Sequence, residues 1–297
     1  MSMRERFAQT ASDLLERDDR VAILLAGISS DRFLRARRSA PARTISVGIM
    51  EPTMIGVAAG FAMEGFHPIV HSIAPFLVER PLEQLKLDFG YQHLGGTFVS
   101  VGASYDYASE GGTHQAPGDV GALLTIPGAD VFAPGTAAEA ERLLRATYAD
   151  GRITYIRASG AENPESFDVG RGRLHVVRRG ERATVLAFGP ALGPTLEACD
   201  GLDVTVAYTP SVEPFDHAGL ASVAGDDPLV ITVEPWYEGT ALRAAVDALR
   251  HTRARFVSIG VPRRFRHDYG TAAQHDHANG LDAPGIRRRL DELLSGG

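Results

Sequence analysis

An α/β fold of two domains, each a mostly parallel sheet flanked by helices, is predicted by three features of this 297-residue sequence. Short β-rich runs alternate with helical patterns along the chain, as expected where parallel strands are joined by crossover helices. A hydrophobic content of 44% over this length can bury a substantial core and supports more than one domain. A polar stretch at residues 159–172, containing Gly160, Pro164 and Gly170, breaks the alternation and reads as a linker. The expected division is a first domain at 1–162, a linker at 163–172 and a second domain at 173–297.

Taken in order, residues 1–20 read as a polar helix without the charged head and apolar core of a secretory signal. Strands are expected at 21–25, 68–73, 98–101, 130–132 and 153–156, with β character also at 44–47 and helices between. Beyond the linker, runs at 184–187, 204–207, 230–233 and 256–259 predict a second, smaller α/β unit. Asp226 and Asp227, just before one of these strands, read as turn residues. Arg287, Arg288 and Arg289 make one turn of a terminal helix whose other face carries Ile286, Leu290, Leu293 and Leu294.

The stretch at residues 47–60, VGIMEPTMIGVAAG, places one carboxylate, Glu51, at the mouth of a helix with almost no polar face. Pro52 suits the first helical position, which puts Glu51 at the cap, and so apolar a helix is expected to be buried. Gly56 and Gly60, one turn apart, allow another backbone to approach. The helix dipole favours the Glu51 anion by about 0.3 to 1 kcal/mol, whereas full burial raises a carboxyl pKa by up to ~3 to 5 units. Local sequence leaves two readings: a sheltered acid with a proton available for chemistry, or an exposed Glu that favours the first turn.

Composition narrows the function classes. A net charge of −7 with mixed signs opposes nonspecific binding to nucleic acid. No apolar run approaches the ~20 residues that cross a membrane, so a cytoplasmic protein bound to neither membrane nor nucleic acid is expected. Cys199 is the sole cysteine and forms no intrachain disulfide. His267, Asp268, His275, Asp276 and His277 cluster without zinc-site spacing; they read as a polar loop, and no metal ligand is assigned.

Three segments together resemble the second half of transketolase-type thiamine diphosphate enzymes: residues 47–84, residues 109–141 around GGTHQ, and ITVEPWYEGTALRAAVDAL with VSIGVPRRF downstream. The resemblance implies that 1–162 is a pyrimidine-binding domain and 173–297 a transketolase C-terminal-like domain. It implies that Glu51 contacts N1′ of the cofactor's aminopyrimidine and shares a proton there, activating the thiazolium carbon. It further implies that Phe76 stacks on that ring, with Ile49 and Ile73 in the same pocket. His114 and Glu110 would then orient the substrate, with Arg157 a further substrate contact. Without the resemblance, Phe76 is ordinary core and His114 a surface loop residue.

Several positions depart from the family pattern. Glu110 replaces an Asp, Gly102 and Gly160 stand where phosphate-holding His and Arg are expected, Ile73 replaces an aromatic, and Glu79 stands where many relatives have Arg. Arg suits phosphate because its planar fork forms two charge-assisted bonds. Either the substrate is unphosphorylated or a partner chain supplies the cation. The family also needs a GDG motif and an Asn-rich segment to hold the diphosphate and Mg²⁺, and the sequence has no GDG. Thiamine diphosphate is therefore expected to be shared with a separate subunit that holds Mg²⁺, within an α2β2 assembly in which this chain also self-associates. The function implied is transfer of a two-carbon ketol or acyl unit between small molecules. A β subunit of a 2-oxo acid dehydrogenase or decarboxylase component and a noncatalytic partner-binding scaffold remain as alternatives.

Overall fold

The computed structural model describes residues 1–225 and 228–295; Asp226 and Asp227 lie outside the described residues. The strands are β1 (Val21–Leu25), β2 (Thr44–Ser46), β3 (His67–Ile73), β4 (Gly96–Val101), β5 (Ala129–Phe132), β6 (Ile153–Arg157), β7 (His175–Arg178), β8 (Thr184–Phe188), β9 (Thr205–Thr209), β10 (Ser211–Glu213), β11 (Leu229–Tyr237) and β12 (Arg255–Val261). They form a seven-stranded sheet in the order β10-β5-β6-β4-β3-β1-β2 and a five-stranded sheet in the order β12-β11-β8-β9-β7. Pairing is parallel throughout except for β10 against β5 and β7 against β9. Wholly buried strands such as VAILL in β1 suit parallel sheets covered on both faces.

The two antiparallel edge strands are the ones the sequence does not anticipate. Each has only three or four residues, too few for a period-two pattern to stand out. β10 belongs to the second half of the chain yet completes the first sheet, so the two units interlock. They meet again where the Tyr237 amide donates to the Pro117 carbonyl at 3.0 Å. Among the described residues no helix is long and apolar enough to cross a membrane.

The helix Glu51–Met63 differs from expectation in two ways. Its first helical hydrogen bond runs from the Met54 amide to the Met50 carbonyl, so Met50 is the cap and Glu51 the first helical residue. Nor is it buried all round. Met54, Ile55, Ala58 and Ala59 enter the core, while Thr53, Gly56, Gly60 and Met63 face outward. Among the described residues no backbone approaches the two glycines: a Cβ on Gly60 would meet open space and one on Gly56 only the Asp88 carboxylate.

Behind the first sheet, a polar chain fixes the amino-terminal helix Met3–Arg17. Arg4 Nε donates to Ser29 Oγ at 2.9 Å, Ser29 Oγ lies 2.8 Å from His71 Nε2, and His71 Nδ1 lies 2.7 Å from the Val99 carbonyl. The carbonyl can only accept, so Nδ1 carries the proton and Nε2 accepts from Ser29. Burial pushes the His71 pKa down to about 4, against the smaller opposing pull of the Val99 bond. Between pH 6.5 and 4 the unfolded chain therefore binds a proton that the folded chain refuses, and acid lowers stability by up to about 3 kcal/mol through this group. His71→Gln should flatten the loss of stability between pH 7.5 and 4.5 in urea unfolding; a slope equal to wild type would show that His71 does not resist protonation.

Candidate functional site

In a parallel sheet, loops leaving the carboxyl ends of the strands gather on one edge and are the usual place for ligands. The candidate residues obey this rule. Ile49 and Glu51 follow β2, Ile73 ends β3, Phe76 follows it, and Glu110 and His114 lie beyond β4.

Glu51 is 1% exposed. Its Oε2 accepts from Arg80 Nη1 at 2.7 Å, and the Arg80 guanidinium carbon lies 4.1 Å from the centroid of the Phe76 ring. Phe76 in turn meets the His114 ring edge-on, with centroids 5.0 Å apart. One carboxylate, one flat cation, one aromatic face and one imidazole thus stand in a row. The local backbone explains how Arg80 arrives there: Pro75–Glu79 forms a π-helical turn, closed by the Arg80 amide donating to the Pro75 carbonyl at 3.0 Å. The wide turn sets residues 76 and 80 on one side, and such turns recur at functional sites. Arg80 is the site residue that sequence reasoning misses; the signal was its spacing of four from Phe76, which gains meaning only in this turn.

The remaining candidates are placed differently. Ile73 is buried and Ile49 is 78% exposed, beside Gly27. His114 is half-buried, with Nδ1 2.8 Å from Thr113 Oγ1. Glu110 is exposed on the turn Ala108–Thr113, and its carboxylate makes no hydrogen bond among the described residues. Gly111 in that turn has φ +73°, and the Tyr269 ring packs 2.8 Å from where a Cβ would stand. Only glycine lets the second unit's 262–271 loop close over GGTHQ in this way.

Arg157 lies apart from this row and is wholly buried. Its Nε donates to Asp119 at 2.8 Å and its Nη2 to Ser104 Oγ at 2.8 Å and to the Ala116 carbonyl at 3.2 Å, and its guanidinium faces the Trp236 ring at 5.5 Å. The tie to Trp236 crosses between the two units. Tyr155 adds a hydrogen bond to the same Asp119 oxygen at 2.7 Å. Arg157 and Gly160, with Asp106 and Asp276, line a cleft of about 440 Å³ between the units.

That cleft is lined by acid. Asp106 accepts from the amides of Ala103 and Gly160, each at 2.9 Å, and from Ser159 Oγ at 3.1 Å; burial still outweighs these bonds and raises its pKa. Asp276 is pushed up to about 6 by burial first, then by Asp106 and Asp282. Glu79, beside Gly118 and Tyr237, is pushed up to about 7 by desolvation and then by Asp119. The other polar residues of the 267–277 region turn away from a common centre. His275 stacks on Tyr105 at 4.6 Å and His277 pairs with Asp282 at 2.7 Å. No three such ligands converge among the described residues.

A folded carboxyl with a raised pKa holds its proton more tightly than the unfolded chain does, so ionising Asp276 costs stability as pH rises through about 6. Asp276→Asn should raise stability at pH 7.5 by up to ~2 kcal/mol and change it little at pH 4. Equal stability of the two proteins at pH 7.5 would remove the strain assigned to this acid.

The model of the transketolase pyrimidine binding domain matches residues 1–164, and that of the transketolase C-terminal domain matches residues 172–286. The chain is 41% identical over 293 residues to an uncharacterized 33.6 kDa protein in the fasciation locus of Rhodococcoides fascians, covering 97% of this chain and 93% of that one. It is 34% identical over 294 residues to 1-deoxy-D-xylulose-5-phosphate synthase of Bordetella petrii, covering 96% of this chain but 46% of the synthase; the chain spans a little under half the length of that relative. Among solved structures, a split gene transketolase in an inactive beta4 tetramer superposes with a TM-score of 0.86 at 23% identity, covering 99% of each chain. Transketolase from Campylobacter jejuni gives 0.77 at 17% identity, covering 97% of this chain and 46% of that one.

Proposed function

The chain belongs to the transketolase family, and from that premise we propose that it is the pyrimidine-domain subunit of a heteromeric thiamine diphosphate enzyme that transfers a two-carbon ketol or acyl unit. The observation that carries this reading is the almost wholly buried Glu51 carboxylate, paired with a flat N–H donor that lies on the face of Phe76. A site that holds a guanidinium between a carboxylate and an aromatic face has the shape and polarity to hold an aminopyrimidine. When bound, thiamine diphosphate supplies the nucleophilic carbon and the electron sink for this chemistry. Glu51 holds a proton at N1′, Phe76 fixes the plane of the ring, and His114, edge-on to Phe76, reaches the substrate side with a group able to donate or accept a proton.

The partner is part of the proposal. What supports placing the diphosphate and Mg²⁺ on a separate subunit is the match of this chain, over 99% of both lengths, to a solved split gene transketolase. The outward stripe of the helix Glu51–Met63 supports such an interface, as do exposed Ile49, Met50, Met63, Leu87 and Tyr91, because large apolar side chains left in water gain free energy on being covered. The solved split transketolase, itself described as an inactive tetramer of one subunit, is consistent with a chain that needs another for activity.

The substrate reading rests on charge. Gly160 removes an arginine from a cleft that Asp106 and Asp276 line, and the charge of Arg157 in its wall is answered by Asp119. Such a cleft favours a neutral polyol or a cationic group over a phosphate. With the diphosphate-domain partner present, Glu51→Gln should slow exchange of the cofactor's C2 hydrogen by about a hundredfold or more, read by NMR. Exchange at the wild-type rate would remove Glu51 from its role.

A further inference from the structure

The cation beside Glu51 is supplied by the chain itself, and nothing in the proposed reaction uses it. Arg80 makes both contacts which that reading gives to the aminopyrimidine: a hydrogen bond to Glu51 at 2.7 Å and a stack on Phe76 at 4.1 Å. A ring seated on the same carboxylate oxygen and the same face of Phe76 has to displace Arg80. We propose that Arg80 is a built-in placeholder for the cofactor's ring, closing the pyrimidine pocket of the free subunit and leaving when the ring is seated; this rests on the assignment of Glu51 and Phe76 to that ring.

Chemistry suits the guanidinium to the part. It is flat, delocalised and rich in N–H donors, so it satisfies a carboxylate edge and an aromatic face at once. Departure alone would leave the Glu51 carboxylate buried without a partner, which is costly. Arg80 therefore leaves only as another donor arrives, and the step is an exchange of partners at Glu51. The path outward is open, since the Arg80 side chain is 42% exposed while that of Glu51 is 2% exposed. The backbone need not move: the Arg80 amide remains tied to the Pro75 carbonyl, so rotation about side-chain bonds is enough.

The consequence is a tax on binding. If the closed arrangement is favoured about ten to one, apparent affinity for the ring falls about tenfold. The arrangement keeps a buried carboxylate satisfied before assembly and delays loading until a partner can grip the rest of the cofactor.

The test uses the isolated full-length chain and 4-amino-2-methylpyrimidine as probe, titrated by ligand-observed NMR. Arg80→Gln should tighten binding about tenfold over wild type, and Arg80→Lys, which keeps a charge near Glu51 but loses the flat stack, should give a smaller gain. The lysine variant guards against loss of folding in the glutamine one. Unchanged or weaker binding in both overturns the placeholder. Probe binding that is lost in Glu51→Ala but indifferent to Arg80 overturns the placeholder alone and leaves the pocket standing, whereas the C2 exchange of Glu51→Gln judges Glu51 separately.

Discussion

A carboxylate almost wholly withdrawn from water, Glu51, sets the terms for this molecule. A buried acid needs a partner, and breaking such a pair by removing one side costs several kcal/mol, about 3 to 5 in measured cases. In the free chain the partner is Arg80, delivered by a π-helical turn after β3. The same turn brings Phe76 under the guanidinium and against His114, so one electrostatic requirement organises the carboxylate, the aromatic face and the imidazole together.

The rest of the fold holds these loops in place. Parallel pairing of β2, β1, β3 and β4 sends their carboxyl ends to one edge, and β10 fastens the second unit onto the first sheet. The buried Arg157–Asp119 pair, capped by Trp236 from the other unit, ties β6 of the first sheet to β11 of the second. An ion pair of this kind adds little net stability over a well-packed apolar replacement. What it contributes is position, by fixing both Ser104 and the Ala116 carbonyl.

Much of this was legible in the residues. The parallel strands were visible because each is a run of apolar, often β-branched residues long enough to register, and the family resemblance singled out Glu51, Phe76 and His114, which the structure brings to one edge. The edge strands β7 and β10 escaped because three or four residues carry no readable period. The helix start was misplaced by one residue because Pro52 fits the second helical position as well as the first. Arg80 was invisible for a different reason: a charged residue after a proline-led apolar run looks like surface, and only the π turn aims it inward. Arg157 was expected from the resemblance to be a substrate contact, whereas the structure pairs it with Asp119, 38 residues away along the chain. Burial of the helix after Glu51 was overestimated because hydropathy reports a need for cover without saying which chain supplies it.

Solving the structure of this chain assembled with a diphosphate-domain subunit and thiamine diphosphate is the measurement that bears hardest on the carboxylate. The predicted result has Glu51 within hydrogen-bonding distance of N1′, the aminopyrimidine against Phe76, and Arg80 turned out of the pocket. A bound cofactor with Glu51 still paired to Arg80, or with its ring away from Phe76, would contradict it.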